Sequence, residues 1–390
     1  MESMDRTKGI KILIGLLAVF SIVAIVTSFP RSEEKSSTSR VPTFGSSTSP
    51  SSGLKEAMYY RKIDEPPSAV WCQLCPRKCV IPEGKLGFCR ARKNIKGTLY
   101  SLGYSRPCAV HIDPIEKKPF FHVLPKSVSF SIASAGCNLR CKFCQNWEIS
   151  QFSPEETKNN FFTPDKIVEM ALKNGCRSIA YTYSEPTNFY EYMLDIAKLA
   201  KQKGILNVYH SNGYINPVPL KELCKYLDAA NIDLKGFTPG YYQELCEGEL
   251  EPVLETLKTL KKEGVWVEIT NLVVPGRNDD PGDIKRMCQW IMANLGADTP
   301  LHFSRFYPTY HLANLPQTPL ETLEKSRKIA RDAGLRYVYI GNVWGNEGEN
   351  TYCPKCKKIL LKRTGYTIIE NNIAGGKCKF CRMKIAGRWQ

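Results

Sequence analysis

The chain carries no block of five or six basic residues, which weighs against a dedicated polyanion tract. It is nevertheless basic: 54 Lys and Arg stand against 38 Asp and Glu, for a net charge of +16 over 390 residues. Spread along the sequence, that surplus favours acidic partners in general, and nucleic acid is disfavoured beside what a clustered patch would indicate. The sixteen cysteines lack the dispersed spacing of a disulfide framework. Eleven fall into three tight groups, at 72/75/79/89, 137/141/144 and 353/356/378/381. Close CxxC pairs of this kind read as metal ligands. Metal-held thiolates and free thiols both point to a reducing compartment. Cys176, Cys224, Cys246 and Cys288 lie on or beside helical patterns and are expected as small buried hydrophobes; Cys108 sits in a loop-like stretch and receives no role. With 43% hydrophobic and 24% charged residues, the composition suits one large α/β domain with accessories.

Charge is also absent from Ile12 to Phe29, eighteen residues that would just span a hydrocarbon core as a helix. The reading is a single N-terminal transmembrane helix within an anchor segment 1–30, with a cleaved signal segment as the alternative. Basic residues on both sides leave its orientation open. A Ser/Thr/Pro-rich linker follows at 31–53, and globular sequence begins near Leu54. From there strand-like runs at Val128–Ala133, Ser178–Tyr183, Asn207–His210, Ala230–Leu234, Val265–Val274, Leu301–Phe306 and Tyr337–Ile340 alternate with helical patterns at Pro164–Asn174, Asn188–Lys203, Pro217–Tyr226, Pro252–Glu263, Asp283–Leu295 and Leu320–Ala333. Such alternation predicts an α/β fold with a parallel sheet. Six or seven units suit a partial or full (β/α) barrel, with chemistry at the C-terminal strand ends; a doubly wound open sheet is the alternative. The expected divisions are a Cys-rich segment 54–125, a barrel 126–345 and a four-cysteine metal ribbon 346–390.

The central cysteines, in Ala135-Gly136-Cys137-Asn138-Leu139-Arg140-Cys141-Lys142-Phe143-Cys144-Gln145-Asn146, directly follow the first barrel strand with the spacing Cx3CxxC. Three thiolates can hold three irons of a cubane and leave the fourth open, as catalytic metal sites keep a vacant position. A zinc site would want a fourth Cys or His nearby, and none follows in sequence. Asp233 and Lys235, in Asn231-Ile232-Asp233-Leu234-Lys235-Gly236, alternate onto one face of an otherwise apolar strand and point towards the barrel mouth. His302 and Arg305 are weaker candidates on a later strand.

Cx3CxxC after the first strand, with an aromatic residue (Phe143) before the last cysteine, resembles the radical S-adenosylmethionine (SAM) signature. The resemblance implies a [4Fe–4S] cluster on Cys137, Cys141 and Cys144 whose open iron chelates SAM, reductive cleavage of SAM, and a 5′-deoxyadenosyl radical that abstracts hydrogen. It implies that Glu185, in Tyr181-Thr182-Tyr183-Ser184-Glu185-Pro186-Thr187, accepts the SAM ammonium, that Asn212 in Ser211-Asn212-Gly213 meets the ribose or carboxylate, and that Asp233 and Lys235 belong to the cofactor site. The loop around Glu185 departs from the family in lacking glycines. From Leu54 onwards the chain is similar to the radical SAM component of the AmmeMemoRadiSam system, a relative of the activating enzymes of glycyl-radical proteins such as pyruvate formate-lyase. Cys72-Gln73-Leu74-Cys75-Pro76-Arg77-Lys78-Cys79, Asp113-Pro114-Ile115-Glu116-Lys117-Lys118-Pro119, the cluster loop with Gln145-Asn146-Trp147, and Asn231 to Gly236 carry that likeness. Memo-type and AMMECR-type proteins are the partners it suggests. A low-potential electron donor of flavodoxin or ferredoxin type is required.

Two further metal sites are expected. Cys72, Cys75, Cys79 and Cys89 (CxxCx3Cx9C) could hold zinc or an auxiliary iron–sulfur cluster. Cys353, Cys356, Cys378 and Cys381 (CxxCx21CxxC) read as a zinc-ribbon or rubredoxin-like module holding zinc or one iron. The functional expectation is a radical SAM enzyme acting on a protein. Action on a small molecule or nucleic acid, or a non-enzymatic metal or electron-transfer protein, stand as alternatives. The catalytic part is expected to face the cytoplasm from a membrane anchor, or to be cytoplasmic if the true start is near Met58.

Overall fold

Eight strands form one sheet whose spatial order follows the chain without reversal. They are β1 (Ala109–Pro114), β2 (Val128–Ala133), β3 (Ser178–Tyr181), β4 (Leu206–Ser211), β5 (Ala229–Asp233), β6 (Trp266–Val273), β7 (Leu301–Arg305) and β8 (Val338–Gly341). β1 pairs antiparallel with β2, and every later pairing is parallel. The structure, a computed structural model, describes residues 54–390. The expected apolar helix Ile12–Phe29 and the linker 31–53 lie outside the described residues. Among the described residues no helix is long and apolar enough to cross a membrane.

An order that never reverses has no topological switch point, so right-handed crossovers put every connecting helix on the same face. That rules out the doubly wound alternative. β1 and β8 are edges rather than partners, so the barrel is partial. The crossovers are α1 (Pro164–Lys173), α2 (Tyr190–Gln202), α3 (Pro217–Cys224), α4 (Glu251–Lys262), α5 (Pro281–Asn294) and α6 (Leu320–Asp332). Their starts carry ordinary signals: Asp280 caps α5 by accepting from the Asp283 amide at 2.9 Å, and Pro occupies the first turn of α1, α3, α4 and α5. α1 ends just before Gly175, whose φ of +63° closes the helix.

Strand alternation divides the core. Ile179, Tyr181, Tyr209, Ile232 and Ile269 pack outward against helix residues such as Ile167, Leu194 and Leu257. Ala180, Val208 and Ala229 point inward and meet Ile115, Phe120, Val123 and Leu124 from the β1–β2 connection. That connection therefore plugs the barrel at the N-terminal strand ends and leaves the C-terminal ends open.

Short antiparallel sheets flank the barrel. Tyr60–Ile63, Ala69–Cys72 and Val80–Ile81 form one, and Lys55–Glu56, Thr98–Ser101 and Arg92–Ile95 another. At the C-terminus Thr351–Tyr352, Ile359–Thr364 and Thr367–Asn371 form a third, followed by a small hairpin. Leu360 and Ile385 of this last module pack on Phe121, Tyr337 and Tyr339. Backbone bonds from Arg388 N to His122 O (2.7 Å) and from Leu124 N to Arg388 O (2.8 Å) fix it to the barrel plug.

Candidate active site

At the open end lies a cavity of about 480 Å³, within the range of cofactor and substrate sites. Cys137, Cys141, Cys144, Glu185, Asn212, Asp233 and Lys235 all line it. These residues come from the loops or ends following β2, β3, β4 and β5, so a monotonic sheet brings together groups separated by about 100 positions in sequence. His302 also lines the cavity, whereas Arg305 does not.

The cysteine loop leaves β2 through Gly136, at φ +106°. Its backbone pairs with the segment before α4: Arg140 N donates to Cys246 O and Lys142 N to Leu245 O, both at 2.9 Å. Donors approach the sulfurs. Leu139 N lies 3.4 Å and Asn212 Nδ2 3.7 Å from Cys137 Sγ, and Ser150 Oγ lies 3.1 Å from Cys144 Sγ. The three sulfurs are not all gathered within 4.8 Å of one another, as ligands of a single ion would be. Thiolates that each bind a different iron of a polynuclear cluster need that wider spacing. Burial holds the Cys137 and Cys144 thiols above their ordinary range, so ionising them here calls for a cationic centre beside them. Three converging sulfurs, N–H donors and wide spacing fit an iron–sulfur cluster with one iron left free of protein ligands.

Glu185 is buried and heavily bonded. Oε1 accepts from Thr187 N (2.9 Å), Thr187 Oγ1 (2.6 Å) and Ser211 Oγ (2.8 Å), while Oε2 accepts from Asn212 N alone (2.8 Å). Burial raises its pKa, and these donors oppose the rise. Asn212, expected to face ribose or carboxylate, has its amide occupied inside the protein. Nδ2 donates to Asn138 Oδ1 (2.8 Å) beside Cys137, and Oδ1 accepts from Tyr214 N (2.8 Å). It braces the cysteine loop.

Asp233 bridges two basic groups at the mouth, Lys235 Nζ at 2.9 Å and His210 Nε2 at 3.2 Å. Burial disfavours the Asp233 carboxylate, but Lys235 and then His210 outweigh it and hold its pKa below the usual carboxylate range. His302 is a structural group on the cavity floor: Nε2 sits 2.7 Å from Glu268, which also accepts from the Phe121 and His122 amides at 3.0 and 2.9 Å.

Several groups in or behind the cavity wall carry no advance signal of a role. His210 is one, although it lies two residues before Asn212 on an inward-facing strand position. Cys246 is another. Expected as a plain buried hydrophobe, it turns its thiol to Cys141 and is the chief cause pushing that thiol up. Tyr183, at φ +67°, lays its ring 4.0 Å from Lys118 Nζ, and Lys118 is ion-paired to Asp113 at 2.6 Å. Trp344 and Tyr366 line the outer part, with ring centroids 6.3 Å apart. Glu116, from the Asp113–Pro119 motif, is buried with Oε2 unbonded among the described residues and also lines the cavity.

The flanking cysteines differ from each other. Cys353 and Cys381 sulfurs lie 3.6 Å apart and Cys356 and Cys378 sulfurs 3.7 Å apart. Tetrahedral metal–sulfur bonds of about 2.3 Å require separations near 3.8 Å. All four lie within 4.8 Å of one another, the one such group of three or more potential ligands among the described residues. The N-terminal four are brought near one another by their turns but fall outside that limit.

A radical SAM superfamily domain matches residues 131–291. The uncharacterized protein MJ0808 of Methanocaldococcus jannaschii is 50% identical over 334 residues, covering 85% of this chain and 99% of the relative. The pyruvate formate-lyase-activating enzyme of Listeria monocytogenes is 22% identical over 175 residues, 42% of this chain and 69% of the relative. The GTP 3′,8-cyclase of Aquifex aeolicus is 25% identical over 254 residues, 59% of this chain and 77% of the relative. With the matched domain lying over the cysteine loop and the strands that build its cavity, the chain belongs to the radical SAM superfamily.

Proposed function

We propose that this enzyme binds SAM at a [4Fe–4S] cluster held by Cys137, Cys141 and Cys144 and directs hydrogen abstraction at a protein substrate, as an activase. The observation that carries the reading is the convergence of the three cysteines with Glu185, Asn212, Asp233 and Lys235 on one cavity at the C-terminal strand ends. When bound, the reduced cluster supplies the electron that splits SAM into methionine and a 5′-deoxyadenosyl radical. The chain's own groups bind and orient. Glu185 Oε2, with a single intramolecular donor, keeps acceptor capacity for the SAM ammonium. Asn212 and Asn138 hold the cysteine loop through their mutual 2.8 Å bond. Lys235, fixed by Asp233, presents a cation to the carboxylate end of SAM or to substrate.

A protein substrate, membership in the AmmeMemoRadiSam system, and Memo-type and AMMECR-type partners follow the motif likeness and the similarity to an activating enzyme. The reading includes a flavodoxin- or ferredoxin-type donor and a cytoplasm-facing catalytic part tethered by the N-terminal segment. A small-molecule substrate is the second reading. It is favoured by Trp344 and Tyr366, whose aromatic faces at the cavity mouth suit a planar ring. The test is anaerobic reconstitution, reduction and addition of SAM. Release of 5′-deoxyadenosine that disappears in Cys141→Ala supports the enzyme; a fully loaded, reduced cluster that leaves SAM intact refutes it. Deuterium appearing in 5′-deoxyadenosine from a labelled partner protein, and not from small molecules, supports the activase reading.

A further inference from the structure

The N-terminal cysteines are assembled by local backbone geometry. Cys72 ends a strand and its amide donates to Cys79 O at 2.9 Å, so the two face each other across a hairpin. Between them the turn closed by Lys78 N to Cys75 O (3.2 Å) brings Cys75 back, with Lys78 at φ +46°. Cys89 returns on a second turn, closed by Arg90 N to Gly87 O at 2.9 Å. Cys72 and Cys75 are buried. Arg92, 1% exposed, aims Nη1 at Cys72 Sγ from 3.9 Å, and its Nε has no partner among the described residues. Arg92 is already ion-paired with Glu191.

The spacing separates the two metals that four thiolates could take. The C-terminal four show the close packing that one ion demands. No three of the N-terminal four are gathered within 4.8 Å of one another, and neither are the central three. Their position is equally specific. A Cβ added to Gly136 would lie 2.5 Å from Cys89 O, so the two cysteine loops touch backbone to backbone. Arg77 Nε donates to Asn138 O at 2.9 Å, and Arg140, bonded to Cys137 O at 2.7 Å, stacks on Phe88, 4.1 Å from its ring centre.

We propose that Cys72, Cys75, Cys79 and Cys89 hold a second iron–sulfur cluster, built against the central cysteine loop and acting as its electron inlet. A one-electron protein donor of low potential gives one electron to the outer cluster, which returns to its oxidised state as the same electron moves to the inner one. Occupancy of the outer site does not depend on SAM chemistry at the central loop; the inlet role does.

The full chain carrying Cys137→Ala, Cys141→Ala and Cys144→Ala, reconstituted anaerobically with iron and sulfide, isolates the outer site. It is expected to keep about four irons and about four sulfides, with the Mössbauer spectrum of a cubane, and to lose them when Cys75→Ala is added. Zinc without sulfide in the outer site overturns the proposal. Should that variant fail to fold, the unaltered chain decides by elemental analysis. About eight irons beside one ribbon ion support the second cluster, and about four irons beside two single ions overturn it. For the inlet role, Cys79→Ser in the otherwise unaltered chain is expected to slow reduction of the central cluster by a flavodoxin at least tenfold, read by freeze-quench EPR. An unchanged rate overturns that role.

Discussion

Replacing Glu185 by Gln preserves shape and removes one acceptor. Glu185 receives four hydrogen bonds at 2.6–2.9 Å, from Thr187 N, Thr187 Oγ1, Ser211 Oγ and Asn212 N, and a longer one from Tyr209 OH at 3.5 Å. A Gln carbonyl placed at Oε1 keeps the first three. Its NH2 then faces the Asn212 amide, donor against donor, in a buried position. An unsatisfied buried donor costs about 1–3 kcal/mol, so the end of β4 should open about 30-fold more readily at the midpoint of that range. The Asn212 amide group that braces Asn138 and approaches Cys137 moves with it. SAM loses a charged acceptor as well, worth about 1.5–3 kcal/mol, or roughly 10- to 150-fold in affinity. Hydrogen–deuterium exchange of the 211–214 peptide and equilibrium dialysis of SAM against the reconstituted enzyme read the two effects. Exchange and affinity both within about threefold of the unaltered enzyme would refute the roles assigned to Glu185.

Gly136→Ala drives a Cβ to 2.5 Å from Cys89 O at φ +106°. It should lower both iron content and melting temperature, whereas Gly175→Ala, with open space around it at φ +63°, should cost only about 1 kcal/mol of backbone strain and leave iron content unchanged. Equal iron loss in both would contradict the contact. Burial pushes His122 down from 6.5 to about 4, against the pull of Glu268. The unfolded chain therefore takes up the proton first. Stability from this group is full above pH 6.5 and falls by about 3 kcal/mol as pH drops to about 4. Unfolding at stepped pH should show that slope, with His111, also lowered by burial, adding in the same direction; His122→Phe should flatten it. Cobalt bound at the C-terminal cysteines should give tetrahedral thiolate absorption. Cys378→Ser should abolish that absorption and, by loosening the strand that carries buried Arg363, increase proteolysis after residue 350. Intact spectra in that variant would exclude a four-sulfur ion.

The barrel can be read from the sequence because its signals are local. β2 has its expected bounds, and the other parallel strands and the crossover helices lie close to the expected ones, since apolar alternation, Pro starts and Gly stops are written into each segment. The closing choice, partial rather than full, depends on whether β1 and β8 meet, and no local pattern encodes that. β1 itself gives no strand signal, because Ala109–Pro114 mixes His, Asp and Pro with its apolar residues. β3, expected to reach Tyr183, stops at Tyr181: Tyr183 adopts φ +67°, a conformation no sequence feature announces for a tyrosine, and bonds Asp113 instead. Within the site, the Asp233–Lys235 pairing is legible from strand alternation. The third member, His210, comes from a neighbouring strand and is fixed by sheet register. Cys246 is illegible for the same reason, since its approach to Cys141 is made by a backbone pairing across more than a hundred residues.

The central claim is a cluster whose free iron takes SAM. EPR of the reconstituted, reduced enzyme before and after SAM addition tests it most directly, using the chain with Cys75→Ala to remove any signal from the outer site. SAM should shift the g-values of the central cluster, and 15N-labelled SAM should add a resolved nitrogen coupling. A fully loaded, reduced cluster whose spectrum is unchanged by SAM would contradict it.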